Sequence, residues 1–299
     1  MKMKTLLCLL LALCLTLSAA ACLAEEDEDA VFAKISEANT LEAILQNHQN
    51  VRAIMESDYG DAVYTITNYA DGERLVTYDT EGYISIMDPE GEWGKTSDES
   101  GNHIPFITFF VDEGGYTDYL ATFRECFLST DLDEGELQPL ETEDGVLKIT
   151  LRQTREAVAE VYGEEIIEWW GDLNATDYVF CYDAETFEQL GTSVVEYYDD
   201  GTTEELMGTA IAYDGETYEI DEELYAQTHE QTRLLSITMD PGTEEETVWT
   251  AHTGKGVMAM IFLPEDYIST YRDAECTQEY YYWDADLNED FVVYAKKGM

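Results

Sequence analysis

Positively charged side chains are scarce in this 299-residue chain: 15 Lys and Arg stand against 65 Asp and Glu, a formal net charge of −50. A surface of that sign repels phosphate, because binding a nucleic acid or an anionic headgroup needs clustered Lys and Arg. Nucleic acid is thereby excluded as a partner. Histidine is rarer still, and His48, His103, His229 and His252 lie in unrelated segments. There is no His-Glu-x-x-His pair, no Gly-x-Ser-x-Gly elbow and no phosphate-binding glycine loop. Adjacent acids such as Glu164-Glu165 carry no information in a chain where carboxylates neighbour one another everywhere. Of the six cysteines, Cys8, Cys14 and Cys22 lie in or at an N-terminal leader. The remaining Cys126, Cys181 and Cys276 have no Cys-x-x-Cys or Cys/His spacing of a zinc site. Their odd number leaves at least one thiol unpaired, and small buried apolar side chains are the plainest reading of all three, with a Cys126–Cys181 bridge as the alternative. These absences predict a protein that is not an enzyme: no catalytic residue, no metal site and no cofactor, with the ligand-binding residues unknown.

What is present begins with the leader. Lys2 and Lys4 form a basic head, Leu6 to Leu17 an apolar run, Ser18 to Ala21 a small-residue exit, and Glu25-Glu26-Asp27-Glu28-Asp29 an acidic run beyond it. That order describes a secretory signal peptide over residues 1–24. The run is short of the ~20 residues a bilayer span needs, and no later segment is apolar enough to serve. Two processing routes stay open. Cleavage before Glu25 would release a soluble, secreted protein; alternatively Ala19-Ala20-Ala21-Cys22, with Ala19 in place of the usual Leu, would be read as a lipoprotein box and leave the chain lipid-anchored at Cys22.

Behind the leader lie roughly 275 residues, comfortable for two domains. Tyr, Trp and Phe recur every few residues, so the chain can bury enough surface to offset its ordering entropy despite its charge. After an acidic linker over 25–36, Leu41, Ile44, Leu45, Val51, Ile54 and Met55 fall at helical spacing, with Asn39 as cap and Glu42 completing a capping box. Residues 62–88 then alternate with period two around Asp71-Gly72 and Glu81-Gly82, the pattern of an antiparallel meander. The middle mixes elements: a strand over Phe106 to Val111, a helix through Tyr116, Leu120, Phe123 and Phe127, a strand over Val146 to Leu151, a helix from Arg155 to Tyr162 ending at Gly163, and a polar turn over Asp172 to Asp177. Strands resume at Tyr178 to Tyr182, Phe187 to Tyr198, Glu204 to Tyr213 and Thr217 to Ile220. The polar stretch Thr228 to Thr232 predicts a junction between domains. The fold class is therefore mainly β with inserted helices, α+β.

This order of elements over residues 37–227, a helix, a long meander, inserted helices and a second meander, resembles the lipoprotein-carrier fold. The resemblance implies an open antiparallel half-barrel whose concave face holds an apolar or acyl ligand such as a lipid. Residues 233–299 resemble the extracellular repeat module named for Listeria and Bacteroides surface proteins, on Tyr271, Asp273 and the closing Val293-Tyr294-Ala295-Lys296. Thr270 and Lys297 depart from that pattern, where Trp is usual. The second resemblance implies a small β-grasp-like sheet acting as a spacer or contact module on a bacterial cell envelope, with an envelope protein or glycan as partner and no active site.

Other motifs are read as structure. Asp284, Asp286, Asn288 and Asp290 alternate like half a calcium loop, but Glu289 stands where Gly is required and Ala295 where Glu is, so a polar turn is the better reading. Asn174-Ala175-Thr176 marks a surface turn, Trp169-Trp170 an anchor for the inserted helix, and His48 a packing residue of the first helix. Two functions compete: an exported, non-enzymatic binding protein holding an apolar or acyl ligand in a half-barrel cavity, or a cell-envelope interaction protein whose C-terminal module makes the contact.

Overall fold

A computed structural model describes residues 28–59, 62–89, 91–97, 101–111, 135–163, 170–281 and 286–298. Strands dominate it, as the sequence predicts. The chain divides into two compact units, each assembled from two separate stretches: 1–47 with 128–211, and 48–127 with 212–299.

In the first unit, β12 (Thr203–Tyr213), β11 (Gln189–Tyr198), β10 (Leu173–Asp183) and β9 (Val146–Thr154) follow one another as antiparallel neighbours. Short β7 (Glu136–Leu137) and β8 (Glu141–Glu143) pair with β9. Alternation along β9 sends Leu147, Ile149 and Leu151 inward and leaves Arg152 half-exposed on the other face. Helix α1 (Glu28–Ala38) lays Val31 and Ile35, one turn apart, against Leu147, Ile149 and Tyr182. This helix occupies the place of the predicted acidic linker: Glu28 and Asp29 sit in its first turn, where the helix dipole favours negative charge, so the acid run begins a helix. Asn39 fixes its far end. Its Nδ2 donates to the carbonyls of Ile35 and Phe187, both at 2.8 Å, and its Oδ1 accepts the Gln189 N–H at 2.8 Å.

Helix α2 (Leu41–Asn47) is capped by Thr40, whose Oγ1 accepts from Ala43 N at 3.2 Å, because Asn39 is spent on the β10–β11 hairpin. The predicted helix through Met55 therefore stops at Asn47. Helix α3 (Arg155–Tyr162) matches its prediction, with Thr154 accepting from Ala157 N and Gly163 at φ +90° ending it. The polar turn predicted at Asp172 to Asp177 is instead the first half of β10, where Thr176 and Asp177 are buried. The Asn174 sequon lies on that strand.

The second unit opens with a meander. Strands β1 (Val51–Tyr59), β2 (Ala62–Ala70), β3 (Leu75–Asp79), β4 (Ile84–Asp88), β5 (Gly91–Ser97) and β6 (His103–Phe110) pair in sequence, each antiparallel to the last. β15 (Met258–Phe262) then adds to β6 in parallel, making this sheet mixed. A smaller sheet runs in the order β14 (Thr247–Thr253), β13 (Arg233–Met239), β18 (Phe291–Lys297), β16 (Tyr267–Tyr271), β17 (Glu279–Tyr280), with β13 and β18 parallel at its centre. The two sheets share a core. Tyr69, Val76, Ile86, Trp93, Ile107 and Ala259 of the first pack with Leu235, Ile237, Phe291, Val293 and Ala295 of the second. Fully burying such side chains stabilises by roughly 1.5–3 kcal/mol each.

Helix α4 (Glu222–His229) adds Leu224 to that core, starting at Asp221, whose carboxylate accepts from Glu223 N and Leu224 N. The predicted junction at Thr228 to Thr232 lies inside this unit, not between units. Thr228 is fully buried, its carbonyl accepts the Thr253 hydroxyl at 2.7 Å, and Arg233 just beyond is buried with Nε on the Glu289 carbonyl at 2.6 Å and Nη1 on that of Val257 at 2.9 Å. Side-chain-to-backbone ties of this kind hold a polar stretch that has no apolar period to announce it. Thr217 to Ile220, predicted as a strand, is not one, although Tyr218 and Ile220 still pack on the core. The leader with Cys22, the helix predicted through Phe127, Cys126, Trp169 and Asp284 lie outside the described residues.

Candidate functional site

The smaller sheet has one face in the core and one in solvent. Strict alternation sets this: on β18, Phe291, Val293 and Ala295 are buried while Val292 and Lys296 are exposed and Tyr294 half-buried. Register aligns the outward side chains into rows. Thr238 lies between Val248 and Tyr294, and Ser236 between Thr250 and Val292, with Leu234 beside His252 at one end. Tyr271 of β16 continues the row of Tyr294. Val248 is 60% exposed and Val292 52%, large values for branched aliphatic side chains. Lys296 Nζ lies 5.6 Å from the centroid of the Tyr271 ring.

No outward residue of β14, β13 or β18 is Asp or Glu. The acids stand at the ends of the strands. At one, Asp240 accepts the Tyr267 hydroxyl at 2.6 Å, Glu245 pairs with Lys297 Nζ at 3.0 Å and Glu246 accepts Gly242 N at 2.6 Å. The Tyr267 hydroxyl holds the Asp240 carboxyl below the usual carboxylate range. At the other, Asp290 accepts the Leu234 N–H at 2.9 Å and Asp286 closes its own turn on Asn288. The result is an aliphatic and hydroxyl-bearing surface with two tyrosines, bordered by carboxylates and free of them across three strands.

A second arrangement lies on the larger sheet, on the face turned away from the shared core. Register places Thr108, Glu92, Met87, Leu75, Ala70 and Val51 in one row across β6 to β1, all buried. Ser85 donates to Glu92 Oε1 at 2.7 Å, and Thr77 to Asn68 Oδ1 at 2.7 Å. Among the described residues the Thr108 hydroxyl, on a residue 1% exposed, has no hydrogen-bond partner. An unsatisfied buried hydroxyl is costly enough to ask what it serves.

The residues singled out from sequence do not converge. His48 is in no helix: its Nδ1 lies 2.8 Å from Asp214 Oδ2, its ring stacks on Tyr213 at 4.5 Å, and it depresses the Asp214 carboxyl. His103 meets Ser97 Oγ at 3.3 Å, and His229 stacks on Tyr225 and meets Trp93 edge-on. His252 is on the exposed sheet face. Asp286 and Asp290 point to different backbone partners. Cys181 and Cys276 are free thiols, both raised in pKa chiefly by burial. Among the described residues no group of three or more His, Cys, Asp or Glu is placed to hold a metal ion. No helix among them is long and apolar enough to cross a membrane. Sequence reasoning reached the strands of the exposed face but not the face itself, since a carboxylate-free surface shows only when rows from β14, β13 and β18 are set side by side.

No protein family and no characterised protein matches the sequence. Among solved structures, a crystallization variant of the GphF dehydratase aligns over 62% of this chain and 83% of its own, at 9% identity and a TM-score of 0.14. Likeness at that level defines neither fold nor reaction.

Proposed function

We propose that the protein is an exported, non-enzymatic interaction protein of the bacterial cell envelope, with the smaller C-terminal sheet as its contact module. The observation that carries this reading is the outward face of β14, β13 and β18, which exposes Val248 and Val292 and bears no carboxylate in a chain with 65. Aliphatic side chains held in the open on a rigid sheet, with an acidic border, have the build of a contact surface. The strand order, with first and last strands parallel at the centre, supports reading this sheet as β-grasp-like. Export rests on the leader at residues 1–24, with release or acylation at Cys22 as its two forms. The test is retention of purified protein by an envelope fraction of the source organism. Val292→Asp should lower retention several-fold while Val63→Asp, a substitution at a similarly exposed valine elsewhere, should not. Equal retention of both variants would refute the contact face.

A second reading, an apolar or acyl ligand held on the buried face of the larger sheet as in a half-barrel, is favoured by the Thr108 hydroxyl, unpartnered among the described residues, beside Glu92 and Ser85. An amphiphile could bring a polar group to that hydroxyl and an apolar tail to Met87 and Leu75. Native mass spectrometry of protein purified without detergent tests it. A stoichiometric lipid adduct is expected on this reading, and a mass equal to the polypeptide alone refutes it.

A further inference from the structure

We infer that the outward face of the smaller sheet takes a neutral, β-1,4-linked glycan strand; this rests on the contact-face reading above and names its partner. Charge sorts the occupants. Anionic polymers meet the field of a −50 chain, and two copies of this chain placed face to face would bring the acidic ends at Glu244, Glu245 and Glu246 against one another or against Asp286 and Asp290. Across β14, β13 and β18 the face between those ends carries no charged side chain but Lys296, with the His252 imidazole at its margin, and Glu279 enters the row only beyond Tyr271, so the three-strand face suits a partner that carries no charge.

Its chemistry is that of a sugar surface in mirror image. Aliphatic Leu234, Val248 and Val292 offer apolar contact to the C–H faces of a pyranose ring. Thr238 stands beside Val248, and Ser236 between Thr250 and Val292, at the spacing of adjacent strands, about 4.8 Å, and these hydroxyls can donate to or accept from ring hydroxyls. Tyr294, half-buried on β18 directly opposite Tyr271 on β16, offers its ring to C–H groups, while the Tyr271 ring already has Lys296 Nζ over it. Shape agrees: a seven-residue strand runs about 23 Å, and a β-1,4-linked chain is itself a flat, extended ribbon that can lie along β13 without bending.

The experiment is depletion of the full chain from solution by cellulose and by chitin particles, read as protein left in the supernatant, with anionic pectate gel as the third matrix. Retention on cellulose or chitin but not on pectate is expected. Val248→Asp and Tyr294→Ala should each lower it about tenfold, since a carboxylate desolvated against a sugar, or a lost stacking ring, removes the contact at its centre. Circular dichroism and the melting temperature of both variants identify any loss of fold. The conservative Tyr294→Phe variant, which keeps the ring, should retain most binding. Wild-type protein left wholly in solution by cellulose and chitin would overturn the inference. So would retention that Val248→Asp, Tyr294→Ala and wild type share, or retention on pectate alone. If the envelope fraction still retains wild type and loses Val292→Asp while both neutral glycans fail, the contact face stands and the glycan falls.

Discussion

Replacing Arg152 tests whether a chain so poor in cations depends on the few it has. Arg152 on β9 lies opposite Asp177 on β10 and grips it with two parallel bonds, Nε to Oδ1 and Nη2 to Oδ2, both 2.6 Å. The Tyr197 hydroxyl adds a third donor to Oδ2 at 2.8 Å, and the guanidinium carbon lies 5.0 Å from the Tyr197 ring centroid. The Asp177 side chain is 6% exposed and that of Arg152 37%. Asp177 is therefore the buried partner, and the pair raises the Arg152 pKa further above its ordinary value. Arg152→Leu would leave a buried carboxylate with one neutral donor. Removing one member of a buried pair costs ~3–5 kcal/mol. The remaining Tyr197 bond and the half-exposed guanidinium place this case at the low end, about 3 kcal/mol.

Arg152→Leu with Asp177→Asn should recover most of that loss, to within ~1 kcal/mol of wild type, because a neutral amide costs far less to bury than a lone charge. Urea midpoints followed by far-ultraviolet circular dichroism measure both variants. An Arg152→Leu loss below ~1 kcal/mol, or a double variant no better than the single one, would refute the argument that Asp177 is buried at the expense of Arg152.

Alkali should act on tyrosines. Hydrogen bonds to Asp79 and Glu196 push Tyr64 and Tyr198 each up to about 12, and Tyr197 and Tyr267 also rise, through Asp177 and Asp240. A raised folded pKa means stability is complete below about pH 10 and is lost as pH climbs toward 12, so melting temperatures should drop across that window and phenolate absorbance should appear late; tyrosines all titrating at the ordinary value would count against it. Acid should act in two phases. Relief of repulsion among unpaired carboxylates raises stability from pH 7 toward about 5, after which Asp71, Asp183, Asp200, Asp214, Asp240 and Asp273, all held low in the fold, lose their contribution as pH falls below about 4. A melting temperature that falls from pH 7 to 5, with no gain from added salt at neutral pH, would overturn the repulsion argument. Gly94→Ala should cost ~3 kcal/mol, the upper end for overpacking, since its Cβ would lie 1.9 Å from the Ile84 carbonyl oxygen and 3.0 Å from the Phe106 ring; an unchanged melting temperature would mean β4 and β5 can part there.

Where hydrophobic period and turn chemistry agreed, the fold was legible. The meander through Asp71-Gly72 and Glu81-Gly82, and α3 between Thr154 and Gly163, needed only local signals. Errors arose where distant partners override local ones. Val51, Ile54 and Met55 continue a helical spacing from Leu41, yet Gln49 N and the Asn50 amide are held by Asp214 and Gly215 across the chain, and β1 begins there. Asn39 looked like a cap because nothing nearby revealed Phe187 and Gln189. The acid run before Val31 looked like a linker because its charge masks the turn that places Val31 and Ile35 on one side. The exposed face was hidden for another reason: its positions are spread over three segments, each without Asp or Glu, and only the register of the strands brings their outward side chains onto one face.

That face is best understood through how the chain deals with its acids. With so few cations, carboxylates find other donors. Asp71, Asp79, Asp183, Asp221 and Asp273 each accept two backbone N–H groups at the head of a turn or helix. Tyrosine hydroxyls serve Asp79, Asp177, Asp240, Glu196 and Glu279. Arginines are placed where burial makes a cation most needed, as at Asp177 and Asp71, or where carbonyls alone surround one, as at Arg233. Turns thus hold many of its acids through backbone N–H groups, whereas acids on strands, such as Asp177, Glu92 and Glu196, are met by the Arg152, Ser85 and Tyr198 side chains, because a strand offers its N–H groups to the ladder. A sheet face without a carboxylate over three strands is therefore not the general rule in this chain. Val248 and Val292 both stand more than half exposed on that one face, on the two strands that flank β13. It is the grouping of two exposed valines on one carboxylate-free face, and not the exposure of either alone, that the contact reading rests on, and the Val63→Asp control separates the two.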